Sequence, residues 1–388
     1  MMNQKRGSKT LAIMLVASSV SKAFGDIIKV PIQRMPKIRT QDAAGVESSI
    51  ISTAAAPRAE ELMLQNHMNS AYYGTLEVGT PPQAIWAMFD TGSSDMWFPT
   101  LAGASGKATH YEPNASSTSN DLGLPFEISY VDGPVAGKLF TDVVKLGSVE
   151  LANFTFAAVD DTSGLVGEEA LPFDGMLGLG FPGLSTIQGE TFLEALFTRG
   201  KINSMVFGFY VGQNEPGQLV IGGVDPDHIA SEFDWVPVTK PLWWTIELDE
   251  IRANGKRPAR MGLEAIVDSG TALISGPSSQ ITTLMNLLGA TKYTPEEVPD
   301  MDLFKAPCSE VPNMSVTFTI GGKDYTLVGE DLVVQRLDGG FCDLGFSTAA
   351  EDEWTLGDVF MRKFYVQFDF GRKRLGFALA KREGDNLV

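Results

Sequence analysis

Cysteine and histidine are scarce: the 388-residue chain holds two Cys and three His. His67, His110 and His228 lie far apart, and none has a Cys or second His at metal-ligand spacing, which argues against a zinc site. Nothing around Cys308 or Cys342 marks a nucleophilic Cys-His pair. In an exported chain a Cys308–Cys342 disulfide is the simpler reading. Closing a loop of about 35 residues, it would stabilise by roughly 3 to 4 kcal/mol. Basic residues are few as well, 30 Lys and Arg against 48 Asp and Glu, for a net charge of −18. That sign argues against nucleic acid and anionic membranes as partners. Long apolar runs are missing, so no segment reaches the ~20 residues of a stable membrane span. With 44% apolar and 20% charged residues the chain should nonetheless bury a deep core, which excludes disorder and coiled coil as whole-chain descriptions.

The basic charge that exists is unevenly placed: residues 1 to 40 carry +7, leaving −25 on the remainder. Lys5, Arg6 and Lys9 precede the apolar stretch Leu11 to Ala17, and mostly small residues follow through Gly25, the order of a secretory signal peptide over residues 1–25. A retained signal anchor is the alternative, disfavoured by the shortness of the apolar run. The polar C-terminus, Lys381 to Asp385, does not suit a lipid-anchor signal. Sequons at Asn114, Asn153 and Asn313 are compatible with a secretory route and glycosylation. Residues 26–68 begin with an alternating basic stretch, Lys29 to Arg39, and end in an expected helical turn at Glu60 to Met68. A basic segment joined to an acidic body is expected to dock on it, which reads as a pro-segment; a solvated tail is the alternative.

From Ala71 onward short β-branched and aromatic runs alternate with Gly, Pro, Asp and Asn, as in Tyr73–Val78, Ala84–Phe89, Phe126–Tyr130, Lys138–Leu146, Met205–Val211 and Gln218–Ile221. Helical periods are confined to Thr191–Thr198, Ser278–Leu288 and Gly357–Lys363. Frequent strands with so little helix predict an antiparallel all-β body. That body is duplicated. Met88-Phe89-Asp90-Thr91-Gly92 is matched by Ile266-Val267-Asp268-Ser269-Gly270. A Leu-Gly pair follows each, Gly178 at 86 residues after Gly92 and Gly357 at 87 after Gly270. One such tripeptide alone would be an ordinary turn. Two copies with matching partners make that improbable and point to one unit of about 180 residues that appears twice.

Each Asp sits on a tight turn after a buried strand, and if the two halves pack about a pseudo-twofold axis, the turns meet and bring Asp90 and Asp268 together. Like carboxylates at hydrogen-bonding distance cannot both ionise, so they share a proton: one acts as base while the other donates. Such a pair can activate a water against an amide carbonyl and protonate the leaving nitrogen, with neither metal, cofactor nor covalent intermediate.

The chain resembles the pepsin-like aspartic endopeptidases over essentially all of residues 72 to 380. The resemblance is carried, in family order, by Tyr73-Gly74-Thr75 to Gln83, Phe89-Asp90-Thr91-Gly92-Ser93-Ser94-Asp95-Met96-Trp97-Phe98-Pro99, Phe173 to Gly180, Trp235-Val236-Pro237-Val238, Val267-Asp268-Ser269-Gly270-Thr271 and Leu356-Gly357-Asp358-Val359-Phe360. It implies a bilobal fold with an N-terminal lobe over 69–235 and a C-terminal lobe over 236–388. It also implies a catalytic dyad of Asp90 and Asp268, supported by Ser93 and Thr271 and cross-linked beneath by Thr91 and Ser269, with Gly92 and Gly270 completing the two triads. Tyr130, beside Gly133, would be the flap tyrosine, hydrogen-bonded to Trp97. Met88 and Met176 would line the pocket for the residue before the cut, where plain core is the alternative. The Cys308–Cys342 pair falls where the family has a C-terminal-lobe disulfide.

Departures are expected to matter. The small disulfide loops of gastric members are absent, Val131 stands where a Gly is usual beside the flap tyrosine, and Pro134 lies in the same turn; both residues stiffen the hairpin. Val30-Pro31-Ile32 resembles the first strand of a pepsinogen-type pro-segment, yet no Lys occurs between Thr40 and Gly106 to reach the dyad. Latency would then rest on the basic first strand and on occlusion. The expectation is a monomeric, secreted or acid-compartment aspartic protease made as a zymogen. It would be inhibited by its own pro-segment and cleave polypeptides at acidic pH with a broad preference for bulky apolar residues. The alternative is a catalytically weak relative that binds peptides or a protein partner in the cleft. A paired-carboxylate glycosidase fits less well, because its carboxylates lie roughly 5 to 9.5 Å apart.

Overall fold

A computed structural model describes residues 28–34, 72–100, 109–130, 133–163, 165, 174–212, 217–258, 263–295, 301–349 and 353–382. The leader over residues 1–25 and the expected turn at Glu60 to Met68 lie outside these residues. The described residues form sheets of 13, 9 and 3 strands with three short helices, the all-β architecture that the sequence predicts.

The first lobe is built on Tyr72–Val78, Gln83–Asp90, Met96–Pro99, the long hairpin Asn120–Tyr130 and Gly133–Leu146, Val149–Asp161, and Gly175–Gly178. The second repeats the plan with Trp244–Leu248, Leu263–Val267, Ile274–Pro277, Leu303–Pro307, Phe341–Ala349 and Trp354–Leu356. Alternating exposure sets each register: Ser315–Ile320 buries every second side chain, the mark of a sheet with one dry face.

A ladder of strands joins the halves. Val206–Tyr210 pairs on one side with Gly217–Ile221 and on the other with Phe364–Asp369, so the last strands of the chain return to the sheet of the first half. Aromatic rings fill the space beneath. Phe207 and Phe368 stack with centroids 4.7 Å apart, and Trp244, fully buried among them, donates its indole N–H to the Leu179 carbonyl at 3.1 Å. Packed rings of this kind bury apolar area and favour edge-to-face contacts, as between Phe207 and Trp244.

The helices follow local chemistry. Ser278–Leu288 buries Ile281, Leu284, Met285 and Leu288 at helical spacing and stops at Gly289 in the left-handed region, φ 75°. Phe192–Thr198 starts at Thr191, whose backbone N–H donates to Glu194 at 3.0 Å. The third helix, Asp358–Met361, is a single turn directly after the second Leu-Gly landmark.

One expectation needs correcting. The body is not purely antiparallel: four strand pairs run parallel, among them Gln83–Asp90 with Gly175–Gly178 and Leu263–Val267 with Trp354–Leu356. Local patterning does not specify the partner of a strand, and parallel neighbours need a long crossover. In each half the stretch between the two landmarks is that crossover. In the first lobe it carries the Asn120–Tyr130 hairpin.

The strand Ile28–Arg34 of the basic arm is inserted into the large sheet, antiparallel to Gly217–Ile221 and touching Tyr72 and Tyr73. Lys29 there donates to Asp225 Oδ2 at 2.6 Å. Asp225 is 4% exposed. Burial works to raise its pKa, but the Lys29 ammonium and the Asp227 backbone N–H outweigh it and hold the carboxyl below its ordinary value.

Candidate active site

The two Asp-bearing strands end side by side. Thr91 N–H donates to Ser269 Oγ at 3.1 Å and Ser269 N–H donates to Thr91 Oγ1 at 2.9 Å. Each hydroxyl then donates back across the axis, Thr91 to the Val267 carbonyl at 3.0 Å and Ser269 to the Phe89 carbonyl at 2.7 Å. All four groups are buried, so this reciprocal set fixes the spacing of the loops above it.

On that base the carboxyl groups of Asp90 and Asp268 meet. Each is held the same way by its own loop. Gly92 N–H donates to Asp90 Oδ1 and Gly270 N–H to Asp268 Oδ1, both at 2.8 Å. Ser93 Oγ donates to Asp90 Oδ2, and Thr271 Oγ1 to Asp268 Oδ2 at 2.6 Å. The residue after the first Leu-Gly landmark and the second landmark itself close the arrangement, with Leu179 N–H donating to the Asp90 carbonyl at 2.7 Å and Asp268 N–H to the Leu356 carbonyl at 3.1 Å. Asp90 is 5% exposed. Burial, followed by the neighbouring charge of Asp268, raises its pKa well above the usual carboxylate range despite the Ser93 and Gly92 donors. A buried carboxyl pressed against a second one retains a proton where an isolated aspartate would have lost it. Such a pair offers a donor and an acceptor to one bound water.

Tyr130 stands at the end of the long hairpin, opposite Gly133. Trp97 Nε1 donates to its hydroxyl at 2.8 Å. Burial and then the Asp90 charge push the Tyr130 phenol up, so it stays a neutral donor and acceptor. Val131 lies outside the described residues. Met88 and Met176 face each other in register on adjacent parallel strands. Both are buried in a small cluster with Tyr73, Trp97, Phe126 and Val135, against which Tyr130, Ile128 and Ile187 pack.

Of the remaining predicted residues, Cys308 and Cys342 form a disulfide between the strand end at Pro307 and Phe341–Ala349. Asn114, Asn153 and Asn313 are all exposed. Among the described residues no group of three or more His, Cys, Asp and Glu could hold a metal ion, and no helix is long and apolar enough to cross a membrane.

Two residues escaped the sequence reading. Asp225, the partner of Lys29, is 196 residues away and carries only a turn-like Asp-Pro signal. Asp95 is 1% exposed, and although it stands in the first Asp loop the sequence suggests no role for it. A buried, fully bonded carboxylate has no local signature that separates it from a surface one.

The model of the eukaryotic aspartyl protease family matches residues 71–380. Cathepsin E of Aquarana catesbeiana is 32% identical, the alignment covering 95% of this chain and 96% of that protein. Cathepsin D of Chionodraco hamatus is 31% identical over 96% of this chain and all of that protein. Pepsin A of Rhinolophus ferrumequinum is 30% identical over 94% and 98%. With its duplicated lobes, its paired Asp loops and these matches along nearly its whole length, the chain belongs to the eukaryotic aspartyl protease family.

Proposed function

We propose that the chain is an aspartic endopeptidase in which Asp90 and Asp268 activate one water and hydrolyse peptide bonds at acidic pH. The observation that carries this reading is the contact of the two carboxyl groups across the Thr91–Ser269 base, with Asp90 raised by burial and by Asp268. The ionised member of the pair takes a proton from the water as it attacks the carbonyl carbon, and the protonated member hydrogen-bonds the carbonyl oxygen. The proton gained is then passed to the leaving nitrogen as the C–N bond breaks, which restores the shared-proton state. Tyr130 closes over the substrate, and the apolar surface of Met88 and Met176 favours bulky apolar residues at the cut, softly enough for a broad preference.

Residues 26–68 act as a pro-segment whose strand Ile28–Arg34 is held by its ladder to Gly217–Ile221 and by Lys29 on Asp225. Residues 1–25 direct the chain into the secretory pathway, and the monomeric mature enzyme consists of lobes over 69–235 and 236–388.

Peptide hydrolysis measured from about pH 3 to 7 tests the reading. Activity on the acid side, blocked by a transition-state analogue with a tetrahedral hydroxyl and abolished by Asp90→Asn or Asp268→Asn, is the expected result. Turnover that survives either substitution overturns it.

A further inference from the structure

Five residues beyond Asp90, a third carboxylate is sealed inside the same loop. Asp95 is 1% exposed, and no Lys, Arg or His pairs with it among the described residues. Its charge is met entirely by neutral donors on three consecutive residues. Oδ1 accepts from Ser185 Oγ and from Ile187 N–H at 3.3 Å. Oδ2 accepts from Thr186 N–H at 2.9 Å and from Thr186 Oγ1 at 2.6 Å. Four donors converge on two oxygens, which suits an acceptor-only carboxylate and no other side chain of this size.

The segment so held has little else to fix it. Ser185–Ile187 follows the turn Pro182–Leu184 and precedes the cap of the helix Phe192–Thr198, in a stretch of bends without ladder or helix bonds. Its last member matters for the site: the half-buried Ile187 side chain packs on the cluster of Met88, Trp97, Leu165 and Met176, the same cluster on which Tyr130 and Ile128 of the hairpin rest. The Asp95 charge is also felt at the Tyr130 hydroxyl.

We propose that Asp95 is a positioning residue for substrate recognition: by clamping Ser185–Ile187 it sets Ile187 as a wall of the apolar pocket beneath the Tyr130 hairpin. Asp95 touches no reacting atom. It governs how well a bulky apolar side chain next to the cut is received, and it leaves the chemistry of the Asp90–Asp268 pair alone. The inference rests on the proposed endopeptidase reading.

The test is steady-state cleavage of two peptides that differ only in a Leu or an Ala at the residue before the cut, using acid-activated full-length chain. Asp95→Asn places an amide N–H₂ against backbone donors and removes the charge. It should raise KM for the Leu peptide roughly tenfold, the scale of one lost hydrogen bond to a charged group, with kcat and the limbs of its pH profile unchanged. The preference for Leu over Ala should shrink accordingly. Ile187→Ala should erase the same preference, and the double variant should be no worse than Ile187→Ala alone.

If Asp95→Asn does not fold, Thr186→Val and Ser185→Ala loosen the clamp from the other side and should move KM in the same sense. An unchanged Leu-to-Ala ratio in the folded clamp variants overturns the proposal, and so does a fall in kcat with a displaced pH profile. The Asp90→Asn chain serves as the separate control. If it cleaves as well as the parent, the endopeptidase reading fails whatever Asp95 does.

Discussion

Gly92 lies against the carboxyl group of Asp268: a Cβ built there would sit 2.8 Å from Oδ1 and 2.9 Å from Oδ2. Gly270 bears the same relation to Asp90, whose Oδ1 lies against the place of its Cβ. Each triad therefore ends in a glycine because the other triad's carboxylate fills the place of its side chain. Asp268 cannot easily retreat, being held by Gly270 N–H and Thr271 Oγ1. Gly92→Ala should lower kcat by on the order of 100-fold, the cost of misplacing a reacting group by a fraction of an ångström to one ångström. Stopped assays on the purified variant, with its folded state checked by circular dichroism, decide this.

The proton on the Asp90–Asp268 pair should also be visible in stability. Because Asp90 is raised above the ordinary 3.8, the folded chain keeps a proton that the unfolded chain has lost. Stability should then fall as pH rises from about 3.8 toward the folded pKa, by at most about 1.4 kcal/mol per pH unit from this group. Asp90→Asn should flatten that part of the curve. Melting temperatures of parent and variant across the range would reveal a shared slope if the pair does not titrate this way.

Tyr130→Phe should strand the indole N–H of Trp97, which is 1% exposed and donates to the Tyr130 hydroxyl at 2.8 Å. An unmet buried donor costs about 1 to 3 kcal/mol. Trp97→Phe removes donor and cost together, so the two substitutions should be strongly non-additive in a double-mutant cycle read by chemical denaturation. Simple additivity would mean that the two side chains do not act as a pair.

For the arm, Lys29 and Asp225 set the direction of the pH effect. Asp225 is depressed in the docked state, so its contribution is present above the ordinary value of 3.8 and disappears as pH falls through the folded pKa. Acid should therefore loosen the strand Ile28–Arg34 from Gly217–Ile221. Asp225→Asn should produce the same loosening at neutral pH. Hydrogen exchange at Ile28 to Arg34 is the readout, and unchanged protection in the variant would show that the ladder alone holds the arm.

The Cys308–Cys342 bridge spans 34 residues of the second lobe. Replacing both cysteines by Ser should cost about 3 to 4 kcal/mol on the chain-entropy scale. The bridge is remote from the Thr91–Ser269 base in chain and in sheet order, so activity at low temperature should persist in the variant while its denaturation midpoint drops.

How much of this was legible follows from what kind of information a sequence holds. Tyr72–Val78, Gln83–Asp90 and Ser278–Leu288 were visible because burial period and breaker residues are local. The Asp90–Asp268 contact was visible because the chain states it twice, at matched spacing from Leu177-Gly178 and Leu356-Gly357. The parallel pairing of Gln83–Asp90 with Gly175–Gly178 was not, since a strand's pattern gives its faces and not its neighbour. The Lys29–Asp225 and Asp95–Thr186 bonds were hidden for a related reason: each joins segments that come close only when the sheets have closed.

The return of Phe364–Asp369 to Val206–Tyr210 has a consequence for how the molecule comes to be made. When the first half has emerged from the ribosome, Val206–Tyr210 has Gly217–Ile221 on one side and an open row of N–H and C=O groups on the other. That edge stays unpaired until nearly the end of the chain has been synthesised. The interval is a period of exposure to mispairing between nascent chains. Truncation anywhere before Phe364 would make it permanent, so shortened forms should aggregate even when both Asp loops are present.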